Sequence, residues 1–371
     1  MHRDSQSSYP NKKNDQLKAL ASYIPILKSL SVYFIPHPDD WLFFSASQVL
    51  ADVQKKARIV FVYVTTGDAG CDASWWHARE RATLAASATL SIRSHFLRLA
   101  DGMFDGHGSA LYGHQSLAQL ARYNRPIDAL DKSATYSSWA QFCSALNAII
   151  EKESCGIDPN AIWIYAPDYD PSQSPDDHSD HIAVGKAVRE VAEGRYPLGY
   201  WLSYWSSYCP PNLSAEKIAA KKELFFAYSQ EIERLTGQPP NTLEWDCWGN
   251  RNYIRTVAKD GNILQSYGAN CPSPLQFDWT RPIVENAKYQ RSWVAIEEQE
   301  DCIQNRYNGQ PAQLSLAGSA AWKKLKTATT PAELRAIFSA QEPNASPASC
   351  KRQADYLLRA LLKMKLIYKA I

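Results

Sequence analysis

The sequence predicts an α/β protein in which a parallel sheet is flanked by helices, a Rossmann-like arrangement. Two uninterrupted apolar runs, at residues 31–35 and 57–65, carry the β-branched and aromatic side chains of buried strands. Parallel strands are buried on both faces, which favours continuous apolar runs over alternating ones. Helical patterns separate these runs from later ones, and strands that alternate with helices imply right-handed crossovers.

The predicted elements alternate regularly through the first part of the chain. Strands are expected at residues 31–35, 57–65, 95–99, 161–166 and 199–205. Helices are expected at residues 16–28, 41–54, 75–90, 138–152, 181–192 and 214–235. Residues 101–135 are rich in Gly, Asp and Tyr and have little periodicity, so they predict a long loop.

The remainder of the chain has a different character. Residues 241–311 are aromatic and turn-rich without a clear period, and helical patterns return after them. Thr330 at the N-cap, Pro331 at the first helical position and Glu333 at the third predict a capping box. Residues 346–371 predict an amphipathic basic helix, which we expect to dock through its leucines rather than on a membrane surface.

A length of 371 residues allows either one large α/β domain with insertions or a main domain with an appendage, and the positions of the motifs along the chain favour the second. The expected parts are an N-terminal segment (1–28), an α/β domain (29–250) and an aromatic-rich C-terminal extension that is helical at its end (251–371). With 45% hydrophobic and 21% charged residues, the chain is neither disordered nor fibrous. A net charge of +2 predicts no nucleic-acid partner. The 12 Trp and 20 Tyr are a surplus that could stack on a sugar ring or fill the core.

The sequence also predicts a cytoplasmic protein with reduced thiols. The eight cysteines are spread along the chain without a CxxC pair, which excludes zinc-ribbon and thioredoxin-like sites. The N-terminus has no apolar leader segment. No run reaches the roughly 18 apolar residues that a membrane-spanning helix needs. Because disulfides are rare in the cytoplasm, none is expected. The sequence leaves the oligomeric state open.

Three ionisable side chains follow the first predicted strand. His37, Asp39 and Asp40 stand in the run Pro-His-Pro-Asp-Asp, directly after the strand at residues 31–35. Ligands of open α/β sheets bind at the carboxyl ends of strands, so chemistry is expected at this place. A solvated turn is the alternative for this cluster taken alone.

A second cluster follows the strand predicted at residues 161–166. It runs Asp177-His178-Ser179-Asp180-His181 and leads into a helix. The two histidines are three residues apart, so they can occupy neighbouring positions on one helical face. Because both clusters follow parallel strands, they lie at the same edge of the sheet, and we expect them to converge.

Together the two clusters contain the ligands of a catalytic zinc ion. His37, Asp40 and His181 are two imidazoles and one carboxylate, a set of three protein ligands that leaves a position open for water. The sequence therefore predicts Zn²⁺ as the cofactor.

The remaining ionisable residues of the clusters have the chemistry of general acid–base catalysis. Asp39 can take a proton from the zinc-bound water. His178 can stabilise the developing oxyanion or protonate the leaving amine, and Asp180 can orient it. The predicted reaction is metal-assisted hydrolysis of an amide or ester.

Two other functions use the same residues. A ferrous-iron oxygenase also binds its metal through two histidines and a carboxylate, and His37 and Asp39 have the HxD spacing common in those enzymes. Such oxygenases are usually all-β barrels, which the predicted α/β fold disfavours. A non-catalytic sugar-binding protein could retain the metal for structure alone, but it would need neither Asp39 nor His178.

Five short motifs occur in an order that is typical of one enzyme family. They are PHPDD at 36–40, TTGDAG at 65–70, WHARE at 76–80, HSDH at 178–181 and a K-to-Q segment at 222–230. In these motifs the chain resembles the LmbE-like zinc deacetylases, the superfamily of the N-acetylglucosaminyl-phosphatidylinositol de-N-acetylase (PIG-L) and the mycothiol-pathway deacetylase. This chain departs from the family pattern at two positions. Trp41 stands where many members have an acidic residue after the Asp pair, and Ser179 stands where the proline of the HPDH motif is common. Neither position supplies a metal ligand in the family. The resemblance covers roughly residues 30–255.

The resemblance implies a role for each candidate residue. The implied zinc ligands are His37, Asp40 and His181, the general base is Asp39, and His178 and Asp180 assist it. Arg79 would bind substrate or shape the site, or alternatively pair with a Glu on a buried helix. Asp68 and Asp101 would bind sugar hydroxyls or cap turns. The implied enzyme removes an acyl group, typically acetyl, from the amide nitrogen of an amino-sugar-containing small molecule or glycoconjugate.

Overall fold

The computed structural model describes most of the chain that follows the N-terminal segment. The described residues are 29–103, 106–174, 177–238, 242–268, 271, 283, 285–291, 296–299, 302–305, 311–363 and 366–370. The predicted N-terminal segment (1–28), with its helix at 16–28, lies outside these residues.

Strands and helices largely alternate as far as α7, and short antiparallel strands and further helices come after it. The strands are β1 (Leu30–Ile35), β2 (Arg58–Thr65), β3 (Arg93–Leu99), β4 (Ile127–Asp128), β5 (Thr135–Tyr136), β6 (Ile162–Pro167), β7 (Leu198–Trp201), β8 (Ile254–Val257), β9 (Ile263–Gln265), β10 (Lys288–Arg291), β11 (Ile296–Gln299), β12 (Cys302–Asn305), β13 (Pro311–Gln313) and β14 (Ile367–Ala370). The helices are α1 (Asp40–Phe44), α2 (Ala46–Gln54), α3 (Ala73–Ser87), α4 (Leu117–Tyr123), α5 (Trp139–Ser154), α6 (Ser179–Ala192), α7 (Ala215–Thr236), α8 (Thr242–Trp248), α9 (Leu316–Lys324), α10 (Pro331–Gln341) and α11 (Pro347–Lys363).

The main sheet of the described residues has the strand order β3-β2-β1-β6-β7-β8-β9. The first five of these strands are parallel, and β8 and β9 run antiparallel to their neighbours. Val32 of β1 lies opposite Val60 of β2 on one side and Ile164 of β6 on the other. The chain order reverses between β1 and β6, which creates a crevice at their carboxyl ends where such sheets bind ligands. The predicted α/β class is confirmed.

The central strand β1 is buried along its whole length, and its side chains alternate between two cores. Val32 and Phe34 pack in the core that α5 and α6 cover. Tyr33 and Ile35 pack in the core that α2, α3 and α7 cover. Helices on both faces explain why the strand is buried at every position rather than at alternate ones.

Two predicted elements of the α/β region differ from expectation, one because it is divided and the other because it is shorter. The helix predicted at 41–54 is divided at Ser45, whose backbone (φ −136°, ψ 0°) leaves the helical region. Serine hydroxyls compete for backbone hydrogen bonds and favour helix ends, which accounts for the break. The strand predicted at 199–205 ends at Trp201, and residues Tyr204–Tyr208 form a 3₁₀ turn. Aromatic residues suit both conformations, so their run did not mark the boundary.

The long loop predicted at 101–135 is wrong in part. It contains the helix α4, capped by the Ser116 side chain, and the short hairpin of β4 and β5. A helix of two turns is too short to establish a hydrophobic period, so sequence periodicity did not reveal it.

The C-terminal part has a core of its own, built from α9, α10 and α11. The capping box of Thr330 and Glu333 is present, as predicted. Leu358 and Leu361 of α11 are fully buried, which confirms that this helix docks through its leucines. The helix ends at Lys363 rather than continuing to 371, because the last residues form β14 and pair with β10. That partner strand lies far away in sequence, so the local pattern could not indicate it.

The prediction of uniformly reduced thiols is wrong. Cys209, which follows the 3₁₀ turn, forms a disulfide with Cys271, 62 residues further along the chain. The antiparallel pairing of β7 with β8 brings the two segments together, and neither residue belongs to a short cysteine motif. Within the described ranges, every helix is too short or too polar to cross a lipid bilayer.

Candidate metal centre

The two predicted clusters meet at the crevice between β1 and β6. The first forms a tight turn between β1 and α1, closed by the Asp40 N–H donating to the His37 carbonyl and by the His37 N–H donating to the Asp40 carboxylate (2.8 Å). Pro36 and Pro38 flank His37 and restrict the backbone of this turn. The second cluster forms the start of α6, with His178 at its N-cap.

His37, Asp40 and His181 bring three potential ligand atoms together. Asp40 Oδ2 lies 3.1 Å from His37 Nδ1 and 3.1 Å from His181 Nε2, and the two imidazole nitrogens are 3.3 Å apart. Ligands of a tetrahedral zinc ion with bonds of about 2.0–2.1 Å stand about 3.3 Å from one another. All three residues are buried. The residues therefore fit a zinc ion in both donor type and spacing.

The electrostatics of this trio are dominated by the carboxylate between two imidazoles. Burial lowers the pKa of His181, but the neighbouring Asp40 and Asp177 outweigh it and raise that pKa to about 9. Burial also lowers the pKa of His37, but the charges of Asp40 and Asp101 outweigh it, so this pKa is raised well above its usual value. The same histidines hold the pKa of Asp40 well below its usual range despite burial. Metal binding at such a site displaces protons from the imidazoles.

A second row of carboxylates faces the outer nitrogens of the two histidines. His37 Nε2 lies 3.2 Å from Asp180 Oδ2, and His181 Nδ1 lies 2.9 Å from Asp177 Oδ1. Ligating histidines commonly donate their second ring N–H to a carboxylate, which selects the tautomer and the ring orientation. Asp180 also accepts the N–H of Gly102 (2.8 Å). A Cβ at Gly102 would lie 2.5 Å from Asp180 Oδ1, so a glycine is required there.

Asp180 was expected to orient His178, and the structure places its carboxylate between His37 and His178. Its Oδ2 lies closer to His37 Nε2 (3.2 Å) than to His178 Nδ1 (3.8 Å). Its backbone N–H donates to His178 Nδ1 (3.1 Å). Because Nδ1 is an acceptor, the ring proton of His178 resides on Nε2, which lies 3.4 Å from Asp101 Oδ1. Asp101 is thus the carboxylate partner of His178.

The group of His37, Asp101, His178 and Asp180 also has its ligand atoms within 4.8 Å of one another. His37 belongs to both groups, and its Nε2 already faces Asp180. The two groups thus share His37 and form one continuous cluster of histidines and carboxylates. His37 and His178 hold the pKa of Asp101 well below its usual range, although burial opposes this.

Asp39 stands beside the trio and is held by an arginine. The guanidinium of Arg79, from α3, donates to Asp39 Oδ1, to the Gly67 carbonyl, and through Nε to the Tyr228 hydroxyl (3.1 Å). Glu80, the adjacent acidic residue, pairs with another arginine instead. The structure thus connects Arg79 with Asp39 rather than with a glutamate of its own helix.

Asp68 and Asp101, the two predicted sugar-binding residues, lie in the loops after β2 and β3. Asp68 is fully buried, and its carboxylate accepts the N–H of Asp101 (2.7 Å), the N–H of Gly70 (2.9 Å) and the Thr66 hydroxyl (3.1 Å). Burial raises the pKa of Asp68. These contacts favour the turn-capping alternative for Asp68, whereas Asp101 lies against His178.

Residues 32–192 match the family model of the GlcNAc-PI de-N-acetylases, PIG-L. Residues 32–192 are therefore the part of this chain that is similar to the PIG-L family, and they are called the PIG-L domain below. All three residues of the trio lie within the matched segment, as do Asp39, Arg79 and the second row of carboxylates. No curated protein sequence matches the chain.

Several solved structures are similar to this chain over more than half of its length. N,N′-diacetylchitobiose deacetylase from Pyrococcus horikoshii is 13% identical, with a TM-score of 0.37 over 66% of this chain and 84% of that one. A deacetylase of teicoplanin biosynthesis is 14% identical, with a TM-score of 0.40 over 59% and 90%. The 4-carboxy-2-hydroxymuconate hydratase from Pseudomonas putida KT2440 is 12% identical, with a TM-score of 0.35 over 59% and 82%.

A few of the many aromatic residues form one wall of the site. The ring of His181 lies 5.0 Å from that of Tyr204, which stacks on Trp248 at 5.3 Å. Phe44 closes this wall, 5.4 Å from Trp248. Four tryptophans are buried and pack in the core rather than offering a face to a sugar ring: Trp76, Trp201, Trp205 and Trp248. Trp75 and Trp245 are half-buried.

Two residues of the site were missed by sequence reasoning. Asp177 was part of the second motif, and its position four residues before His181 could have indicated a contact across one helical turn. Tyr228 belongs to the buried face of α7, where a tyrosine hydroxyl usually finds a partner. The sequence does not tell that this partner is Arg79.

Proposed function

We propose that the PIG-L domain is a zinc-dependent hydrolase that removes an acetyl group from the amide nitrogen of an amino-sugar-containing substrate. The observation that supports it most is the trio of His37, Asp40 and His181 at ligand spacing, with Asp39 beside it on the same turn. A structural metal site would need no such additional carboxylate.

The donor set favours Zn²⁺ over harder cations. Two imidazoles and one carboxylate are ligands of catalytic zinc sites with an open position. Zinc held there supplies Lewis acidity toward water and a substrate carbonyl. His37, Asp40 and His181 hold the ion, and their burial keeps bulk water away from it.

Asp39 acts as the general base of the proposed reaction. Its side chain is 20% exposed, whereas Asp40 next to it is only 5% exposed, so Asp39 faces the open side of the site. It takes a proton from the attacking water, whose oxygen forms a bond to the acyl carbon. When the C–N bond breaks, the amine nitrogen receives a proton, and acetate and a free amine are released. Arg79 keeps the Asp39 carboxylate in place.

His178 stabilises the negative charge that develops on the acyl oxygen or protonates the leaving amine. Its Nε2 carries a proton because Nδ1 accepts the Asp180 N–H. A preorganised donor of this kind acts strongly in a buried site, and His178 is 4% exposed. Asp101 Oδ1, 3.4 Å from Nε2, accepts this proton in the absence of substrate, and the acyl oxygen would replace it as the acceptor.

The substrate class follows from the family. The family model describes de-N-acetylases of an N-acetylglucosamine lipid, so we propose an N-acetylated amino sugar, either as a small molecule or within a glycoconjugate. The mostly parallel α/β sheet is unlike the β-barrel of the ferrous oxygenases and leaves hydrolysis as the better-supported use of the metal ligands. We also propose a cytoplasmic location. The Cys209–Cys271 disulfide is an observation that favours an oxidising compartment instead, because disulfides are rare in the cytoplasm.

The test measures acetate release from a panel of N-acetylated amino sugars, with and without a chelator. We expect release that the chelator stops and added Zn²⁺ restores. Asp39→Ala should abolish turnover while zinc stays bound, and Asp246→Ala, at an exposed aspartate, should change neither. Full deacetylase activity of Asp39→Ala would falsify the proposed mechanism. Oxygen consumption would indicate the oxygenase, and sugar binding without turnover the non-catalytic protein.

A further inference from the structure

Asp177 is a buried carboxylate to which the proposed mechanism assigns no role. It is 4% exposed and immediately precedes α6. Its Oδ1 lies 2.9 Å from Nδ1 of His181, one helical turn further on. Burying a carboxylate costs free energy unless it is paired, so its position calls for an explanation in terms of what it contacts.

The contact determines which nitrogen of His181 is available to a metal. A carboxylate accepts hydrogen bonds, so Nδ1 of His181 carries the ring proton and donates it to Asp177. The lone pair then resides on Nε2, on the opposite side of the ring. That atom is the one that lies 3.1 Å from Asp40 Oδ2 and 3.3 Å from His37 Nδ1. The tautomer therefore points the ligand nitrogen toward the trio.

Asp177 is itself held from two further directions. Its Oδ1 also accepts the backbone N–H of His178 (2.8 Å), and its Oδ2 accepts the Ser174 hydroxyl (2.8 Å). Ser174 is 2% exposed. With both oxygens engaged, the carboxylate cannot rotate away from the imidazole, so it restrains the orientation of the His181 ring as well as its tautomer.

We propose that Asp177 is a positioning residue that sets the affinity of the centre for zinc through His181, with Ser174 holding Asp177 in place. This inference rests on the metal centre of the proposed function. Because Asp177 orders the His181 ring before the ion binds, binding loses less conformational entropy. The adjacent carboxylate also makes Nε2 of His181 a stronger electron-pair donor to the metal. Asp177 binds neither metal nor substrate itself.

The experiment titrates metal-stripped protein with Zn²⁺ in competition with a chromogenic chelator. Asp177→Asn, which keeps the shape but loses the charge, should raise the zinc dissociation constant about 10- to 100-fold. The matched control is Asp52→Asn. Asp52 is equally buried and accepts the Tyr33 hydroxyl (2.7 Å) away from the centre, so its variant should bind zinc like the wild type. Loading with Co²⁺ adds a spectroscopic readout, since a reoriented imidazole changes the ligand-field bands.

Circular dichroism of the metal-free variants shows whether each one folds. If Asp177→Asn does not fold, Ser174→Ala decides: the carboxylate remains but is released, and we expect a rise of about threefold or more in the dissociation constant. An unchanged dissociation constant in the folded Asp177→Asn protein, or in Ser174→Ala where Asp177→Asn fails to fold, overturns the inference. The proposed function fails separately, if the wild type binds no zinc or if His181→Ala binds it as tightly.

Discussion

The turn after β1 and the start of α6 contribute to the same centre in different ways. The turn places two potential metal ligands and the proposed general base within four residues, His37 to Asp40, and the distant Arg79 holds the proposed base, Asp39. The start of α6 contributes one proposed ligand, His181, and the proposed oxyanion stabiliser or acid, His178. It also contains Asp177 and Asp180, whose carboxylates face imidazole nitrogens. Most of the proposed reactive groups thus lie in the turn, and most of the residues that support them lie at the start of α6.

The difference has a physical origin in how each segment is held. The turn lies at the end of a fully buried strand and is closed by hydrogen bonds between His37 and Asp40. The Asp39 carboxylate takes no part in these hydrogen bonds. It is held instead by Arg79 of α3, which also donates to the Tyr228 hydroxyl of α7. The α6 segment supports itself, because His178 accepts the Asp180 N–H and Asp177 accepts the His178 N–H. We expect substitutions in the two segments to fail in different measurements.

The largest effect is expected from His181→Ala. Removal of one of three metal ligands should eliminate both bound zinc and turnover, because two protein ligands do not complete a catalytic site. Metal analysis of the purified protein measures this directly. His77→Ala, at an exposed histidine on α3, is the control and should retain zinc. A His181→Ala protein that keeps stoichiometric zinc would remove α6 from the ligand set and break the comparison.

Lys221→Met should weaken the turn segment through stability rather than chemistry. The buried ammonium donates to the carbonyls of Phe43 (2.6 Å), Trp248 (2.7 Å) and Arg251 (2.8 Å), which anchors the end of α1. Burial and the nearby charge of Arg251 both lower the pKa of Lys221. Loss of the donors leaves buried carbonyls unpaired, so the free energy of unfolding should fall by about 2–4 kcal/mol.

Urea denaturation of the metal-free protein checks this expectation. Lys217→Met, at an exposed position on the same helix, should change the unfolding free energy by less than about 0.5 kcal/mol. Equal stabilities of the Lys221 and Lys217 variants would show that the three carbonyl contacts contribute nothing to holding α1.

Arg79→Lys tests whether the turn depends on a planar guanidinium. A lysine cannot donate to Asp39, Gly67 and Tyr228 at once, so the Asp39 carboxylate should lose its position. A displaced base lowers kcat by up to about 100-fold, whereas zinc affinity should remain unchanged because no ligand is touched. Arg81→Lys, on the exposed side of the same helix, serves as the control. A loss of zinc in Arg79→Lys would contradict the separation of the two segments.

Tyr228→Phe should have the smallest effect of the four. It removes only the acceptor of Arg79 Nε and leaves the contacts with Asp39 and Gly67 in place. One hydrogen bond to a charged group corresponds to a decrease in kcat of at most about tenfold. Tyr356→Phe, at an exposed tyrosine, should behave as the wild type. A decrease as large as that of Arg79→Lys would mean that Tyr228 contacts the substrate itself.

Much of the centre could be predicted because its residues stand in short motifs at strand ends. The apolar run of β1 located the edge of the sheet. The side chains of His37, Asp40 and His181 then indicated metal chemistry, because imidazoles and carboxylates are ligands of zinc. The partners of those residues could not be predicted in the same way. Arg79 meets Asp39, and Tyr228 meets Arg79, only because α3 and α7 pack side by side on one face of the sheet. Sequence separation conceals such contacts.

The α/β class, the parallel strands at the centre of the sheet and the convergence of two clusters at one edge were determined by the sequence alone. Local periodicity and the rule that parallel strands share a carboxyl edge suffice for these. The tertiary structure decided the second row of carboxylates, the Cys209–Cys271 disulfide and the pairing of the last strand with β10. Each of these depends on which distant segments become neighbours, and that is settled by packing of the whole chain rather than by any local pattern.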